Sequence, residues 1–215
     1  MVNMAKYYEG LIQNFPKASP AALAEAHFLL GRAAFDQGDF KSSISHMAEA
    51  KTLDPQKYGE QVNVLSVLSY HKLQDVNKLK EALETLQKEN PSAVARVPDV
   101  IPAWLGLQAY GMKDLETADK YMTWATQNDQ LQNVKKVIWR NLAKVRLALK
   151  KYDRALVASN NFLKDEDQPY RRADGMLDKA SILLGLGKYA DARKTAEEAL
   201  ALGVELSLIH ISEPT

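Results

Sequence analysis

The strongest chemical signal in the chain is a run of cations. Lys135, Lys136, Arg140, Lys144, Arg146, Lys150 and Lys151 lie between Asp129 and Asp153, with no acidic residue between those two aspartates. Lys136, Arg140 and Lys144 are four apart, so on a helix they share one face. Unopposed in sequence, that stripe suits an acidic peptide or a terminal carboxylate, with Arg140 as the forked donor. The plainer reading is a solvated face neutralised by Asp and Glu from neighbouring elements. Other candidate sites are weaker. His27, His46 and His71 show no metal-ligand spacing; His27 reads as the edge of a core and His46 as solvated. Asp165-Glu166-Asp167 lacks the glycine and further ligands of a calcium loop, and reads as the acidic start of a helix. Tyr121 and Trp124 are spaced as on a helix and read as core rather than as a stacking platform. The chain has no cysteine, which excludes disulfides, thiolate metal sites and a cysteine nucleophile. No phosphate loop, nucleophile elbow or His-Glu-x-x-His helix occurs. The expectation is no catalytic residue, no metal and no cofactor.

The bulk composition narrows the classes of function. A formal net charge of +1 over 215 residues argues against a dedicated nucleic-acid binder. No window approaches the apolar length that a membrane-spanning helix needs. The start, MVNMAKYYEG, lacks the basic-then-apolar pattern of a signal peptide.

The elements that must position these residues recur. A small residue inside a helix-patterned segment returns at Gly31, Val67, Gly106, Ala143 and Ala180, about every 37 residues. The clearest copy is HFLLGRAAFDQGDFKSSISHMAEAKTLDP, from His27 to Pro55. Gly31 and Gly106 let two antiparallel helices approach closely, against a propensity cost of about 1 kcal/mol relative to Ala. Ala118, Ala155 and Ala192 serve the same purpose on the second helix. Gly38, Gly111 and Gly187 punctuate helix ends, and Pro55, Pro91 and Pro169 stop the chain from continuing as helix.

Leu30-Gly31, Phe40, Ala50 and Pro55 in the first full copy resemble the tetratricopeptide repeat. So do Leu105-Gly106 with Ala118, and Trp139, Leu142 and Ala155, in later copies. The second copy is the most divergent. The resemblance covers residues 3–204, with repeats at 24–57, 60–93, 99–132, 136–169 and 173–204 and an orphan helix at 3–15. It implies an all-α, right-handed superhelical solenoid of antiparallel helix pairs, about five repeats plus that helix. It also implies a concave groove lined by first helices. Carried over by position, the groove residues are Phe28, Arg32 and Phe35, then Val64, Leu68 and His71, then Leu107 and Tyr110, then Arg140, Lys144 and Leu147. Some relatives clamp a carboxylate with Lys, Arg and Asn, which adds Asn141.

The implied function is a non-catalytic scaffold or adaptor that holds a partner protein or peptide, acidic if the cationic stripe takes part. The alternatives are the targeting arm of a larger enzyme, or a structural segment that self-associates. Residues 206–215, LSLIHISEPT, match the reading-frame translation of a transposase adapter used in sequencing libraries. The expectation is therefore a fragment of a larger bacterial array, with native sequence ending near Glu205. Both the cell envelope and the cytoplasm fit it.

Overall fold

A computed structural model describes the backbone of residues 2–14, 18–127 and 132–212. The described residues form α-helices and one short 3-10 turn, with no strand among them. A leading helix, α1 (Val2–Asn14), packs on α2 (Pro20–Asp36). Five helix pairs follow. These are α2 with α3 (Phe40–Leu53), α4 (Pro55–Lys72) with α5 (Val76–Glu89), and α6 (Val100–Gly111) with α7 (Leu115–Thr126). The last two are α8 (Gln132–Ala148) with α9 (Tyr152–Asp165), and α10 (Pro169–Gly185) with α11 (Tyr189–Ser212). The fold is all-α, built of helix pairs of tetratricopeptide type. Phe15 and Pro16, assigned to the end of the orphan helix and its stop, lie outside the described residues.

One turn joins the two helices of every pair. Gly38, Gln74, Lys113, Lys150 and Gly187 each adopt positive φ, between 56° and 81°. The next residue's N–H then reaches back to a carbonyl five positions earlier, as Asp39 does to Ala34 at 2.9 Å and Lys151 to Arg146 at 2.8 Å. This is the left-handed helix stop that satisfies orphan carbonyls. Gly111 is not that residue: it stays in α6, and Lys113 takes the left-handed position. In the first three pairs an aspartate caps the second helix. Asp39, Asp75 and Asp114 accept from the N–H groups of Ser42, Lys78 and Thr117 at 3.0–3.2 Å. The prolines do more than stop helices. Pro55 and Pro169 open α4 and α10, where a missing N–H costs nothing.

The chain divides into two compact units, Met1–Pro98 and Asp99–Thr215. The 3-10 turn at Pro91–Arg96 ends the first and accounts for the longest step in the repeat period, from Val67 to Gly106. In the first unit Phe28 stacks on Tyr58, with centroids 4.6 Å apart, over Met47 and Ala50. Leu79, Leu83 and Leu86 bury the inner stripe of α5. In the second unit Met122, Ile138, Leu142 and Ile182 are packed among alanines. The alanines and Gly106 set the helix spacing there. A Cβ on Gly106 would meet Met122 Cγ at 2.7 Å and the Met122 backbone N at 2.9 Å. Helix α11 runs through Ser212, across the segment set apart by its sequence; no Gly or Pro between Val204 and Glu213 interrupts a helix there.

Candidate partner-binding face

In the second unit α8 packs against both α6 and α10, so the first helices of three successive repeats lie side by side. Each carries one stripe of residues at helical spacing that is exposed or only partly buried. Val100, Leu107 and Tyr110 form it on α6, and Val137, Arg140 and Lys144 on α8. On α10 it is Asp174, Leu177, Asp178 and Leu184. Val137, Leu177 and Leu184 keep 38%, 43% and 54% of their surface exposed, although each is aliphatic. Val100 is exposed as well. Leu107 and Tyr110 are half-buried against the core of the unit.

The cations on α8 are opposed after all. Arg140 pairs with Asp174 through Nη2, and its Nε lies 3.8 Å from Asp178 Oδ2. Lys144 Nζ approaches the same oxygen at 3.6 Å, and Lys136 meets Asp167 at 3.5 Å. The acids come from the following repeat, about 34 residues on, which is why the run looked unopposed along the chain. Burial pushes the Asp178 carboxyl above the usual range, against the pull of Lys144 and Arg140. Asn141 Nδ2 donates to the Val137 carbonyl one turn back, at 3.0 Å. Arg146 and Lys151, also in the cationic run, pair with the preceding repeat instead. Arg146 is buried with Asp119, and Lys151 bonds Glu116 at 2.8 Å and Asp119 at 3.0 Å.

The groove residues assigned to the first unit divide differently. Phe28 is 8% exposed and belongs to the core, because Tyr58 of the next helix covers its ring. Phe35 is half-buried edge-on to Phe40 at 5.4 Å, closing the α2–α3 turn. Arg32 is exposed, Val64 is buried, and Leu68 and His71 are half-buried on α4. Burial lowers the His71 pKa, with the charge of Lys72 adding to it.

Three further readings meet the structure. His46 is not solvated: it is half-buried and its Nδ1 touches that of His27 at 3.0 Å. Tyr121 is fully buried, so it offers no stacking platform with Trp124. Glu166 is buried at the start of α10 and accepts the Gln168 N–H at 3.0 Å. Sequence reasoning passed over Val137, Leu177 and Leu184. The signal available was spacing: Val137 lies seven residues before Lys144 and Leu177 seven before Leu184, keeping each pair on one helix face.

A tetratricopeptide repeat family model matches residues 24–57, and a second matches residues 140–205. Residues 24–57 and 140–205 are tetratricopeptide repeats. Similar solved structures include the MamA protein, at 15% identity and TM-score 0.49 over 89% of this chain and 98% of that one. BtubC from P. vanneervenii matches at 16% identity and TM-score 0.46, over 100% of this chain and 91% of its own. PilF of Pseudomonas aeruginosa matches at 19% identity and TM-score 0.40, over 87% and 84%. A comparison with curated proteins finds no match. Repeats of this family are protein-interaction modules, so the general role of the chain is that of a protein-interaction scaffold.

Proposed function

We propose that the chain is a non-catalytic adaptor and that the α6–α8–α10 face of its second unit holds an extended or helical segment of a partner protein. The observation that carries this is the set of exposed aliphatic side chains, Val137, Leu177 and Leu184, on neighbouring first helices. Isolated exposed apolar residues need no explanation, but a shared stripe on adjacent helices marks a surface for binding. Arg140 and Lys144 sit between these residues and are already balanced by Asp174 and Asp178. An acidic partner therefore has to displace those carboxylates. An apolar segment does not, and we assign the face to a segment with one or two aliphatic or aromatic anchors.

The test is selection of a displayed random-peptide library on the full chain, followed by titration of the recovered peptides. Fully burying a leucine contributes about 1.5–3 kcal/mol. Leu177→Asp should therefore weaken binding at least about tenfold, while Arg32→Glu in the first unit leaves it unchanged. Peptides that bind Leu177→Asp as tightly as the parent chain would overturn the assignment.

A further inference from the structure

His27 on α2 and His46 on α3 meet ring to ring inside the first helix pair. Their Nδ1 atoms are 3.0 Å apart, and their centroids lie 5.2 Å apart with the planes inclined at 43°. That centroid separation is near the most so short an N···N contact allows. The two Nδ1 atoms thus point at one another, along the line of a hydrogen bond. One carries the proton and the other accepts it. Lone pairs aimed at each other, rather than at a common point, do not chelate. Among the described residues no group of three or more His, Cys, Asp or Glu side chains forms a metal site.

The contact lies where the pair is tightest. A Cβ on Gly31 would meet Met47 Cγ at 3.0 Å and His46 Cβ at 3.3 Å. Both rings are half-buried. The charged groups that act on them come from three places: Glu9 on α1, Asp39 at the cap of α3, and Glu49 within α3. Glu9 and Asp39 favour a charge on His46, and Glu49 favours one on either ring; burial outweighs them on both.

Counting protons gives the consequence. The neutral pair holds one N–H···N bond. A first added proton goes to the far nitrogen of the donor ring and leaves that bond intact. A second must sit on the accepting Nδ1, where it faces another N–H at 3.0 Å in a half-buried site. Two donors and two positive charges then oppose each other with no acceptor between them. We infer that the His27–His46 contact is an acid-sensitive latch between α2 and α3, closed at neutral pH and opened when both rings are protonated. Burial lowers the pKa of each ring below its ordinary 6.5, so the unfolded chain takes up these protons first. The latch contributes fully above pH 6.5 and is lost progressively as the pH falls below that value. The first repeat, with α1 resting on α2, is the part that loosens.

Amide hydrogen exchange on the full chain at pH 7.5 and 5.5 tests this, with α8 and α9 as the internal reference. Protection factors in α2 and α3 should fall severalfold at the lower pH, while those in α8 and α9 hold. In His46→Gln, whose amide bonds without titrating, they should stay level. No selective loss in the parent chain, or an equal loss in His46→Gln, would overturn the latch. Should that variant not fold, the parent chain still decides. Nitrogen NMR should show a coupling across the Nδ1–H···Nδ1 bond at pH 7.5 that is lost on acidification; its absence at pH 7.5 refutes the proposal.

Discussion

Asp119 on α7 and Arg146 on α8 are both 9% exposed at the side chain, and they are the most consequential charged pair in the second unit. Arg146 Nε donates to Asp119 Oδ1 at 2.8 Å and its Nη2 to Thr123 Oγ1 at 2.8 Å, while Lys151 Nζ closes the other carboxylate oxygen at 3.0 Å. Burial pushes the Asp119 carboxyl up, and the bonds from Arg146 and Lys151 more than offset that, leaving its pKa below the ordinary value of 3.8. Its stabilisation is therefore full above that value and is lost only as the pH falls through the lower folded one, well separated from the histidine window. Asp119→Ala strands a buried guanidinium, and the expected cost is about 3–5 kcal/mol. Replacing both partners, Asp119→Leu with Arg146→Met, should recover most of that loss. Denaturant unfolding at pH 7 measures both, and a single-variant cost below about 1 kcal/mol would show that the pair carries little. Along the chain Arg146 looks like one more member of the cationic run. Its partner lies 27 residues earlier on another repeat, and no local pattern exposes it.

At the scale of the element, the inter-helix turn is the repeated unit of construction. Two of its five left-handed positions are glycine, and three are Gln74, Lys113 and Lys150. A left-handed conformation costs a residue with a Cβ roughly 1–2 kcal/mol, which glycine avoids at some cost in unfolded-state entropy. Each of Gln74→Gly, Lys113→Gly and Lys150→Gly should stabilise the chain by up to about 1 kcal/mol. A rise in urea midpoint with unchanged slope is the expected readout, and a fall at all three positions would refute it. The repeat period locates these turns in sequence. It does not say which residue turns left-handed, because tertiary packing forces a lysine into the conformation when no glycine stands at that position. Gly111 illustrates this: the nearest glycine to the third turn remains helical.

The whole molecule comprises two units with separate interiors, one built on Phe28, Met47 and Tyr58 and the other on Met122, Ile138 and Leu142. In such arrays each repeat depends mainly on its immediate neighbours, so damage stays local. Leu142→Ala should cost about 2–5 kcal/mol from the lost side chain and its cavity. Hydrogen exchange should place that loss in α6–α10 and spare α2–α5; uniform loss across both units would mean the chain unfolds as one body.

Period, small residues at close approaches and helix-end signals determined the architecture, since these act through local backbone geometry and a helix face has a fixed spacing. The helix pairs, and Leu30-Gly31, Leu105-Gly106 and the alanines opposite them, could be read directly. Which side chains are free to meet a partner was decided only by the tertiary structure. Phe28 fits a groove position, yet Tyr58 from the next helix covers it. Arg140 and Lys144 look free until Asp174 and Asp178 arrive from the next repeat, and His46 looks solvated until His27 meets it across the pair. Exposure and charge balance at a site are sums over every neighbour in space, and in a solenoid those neighbours lie about one repeat away in the chain.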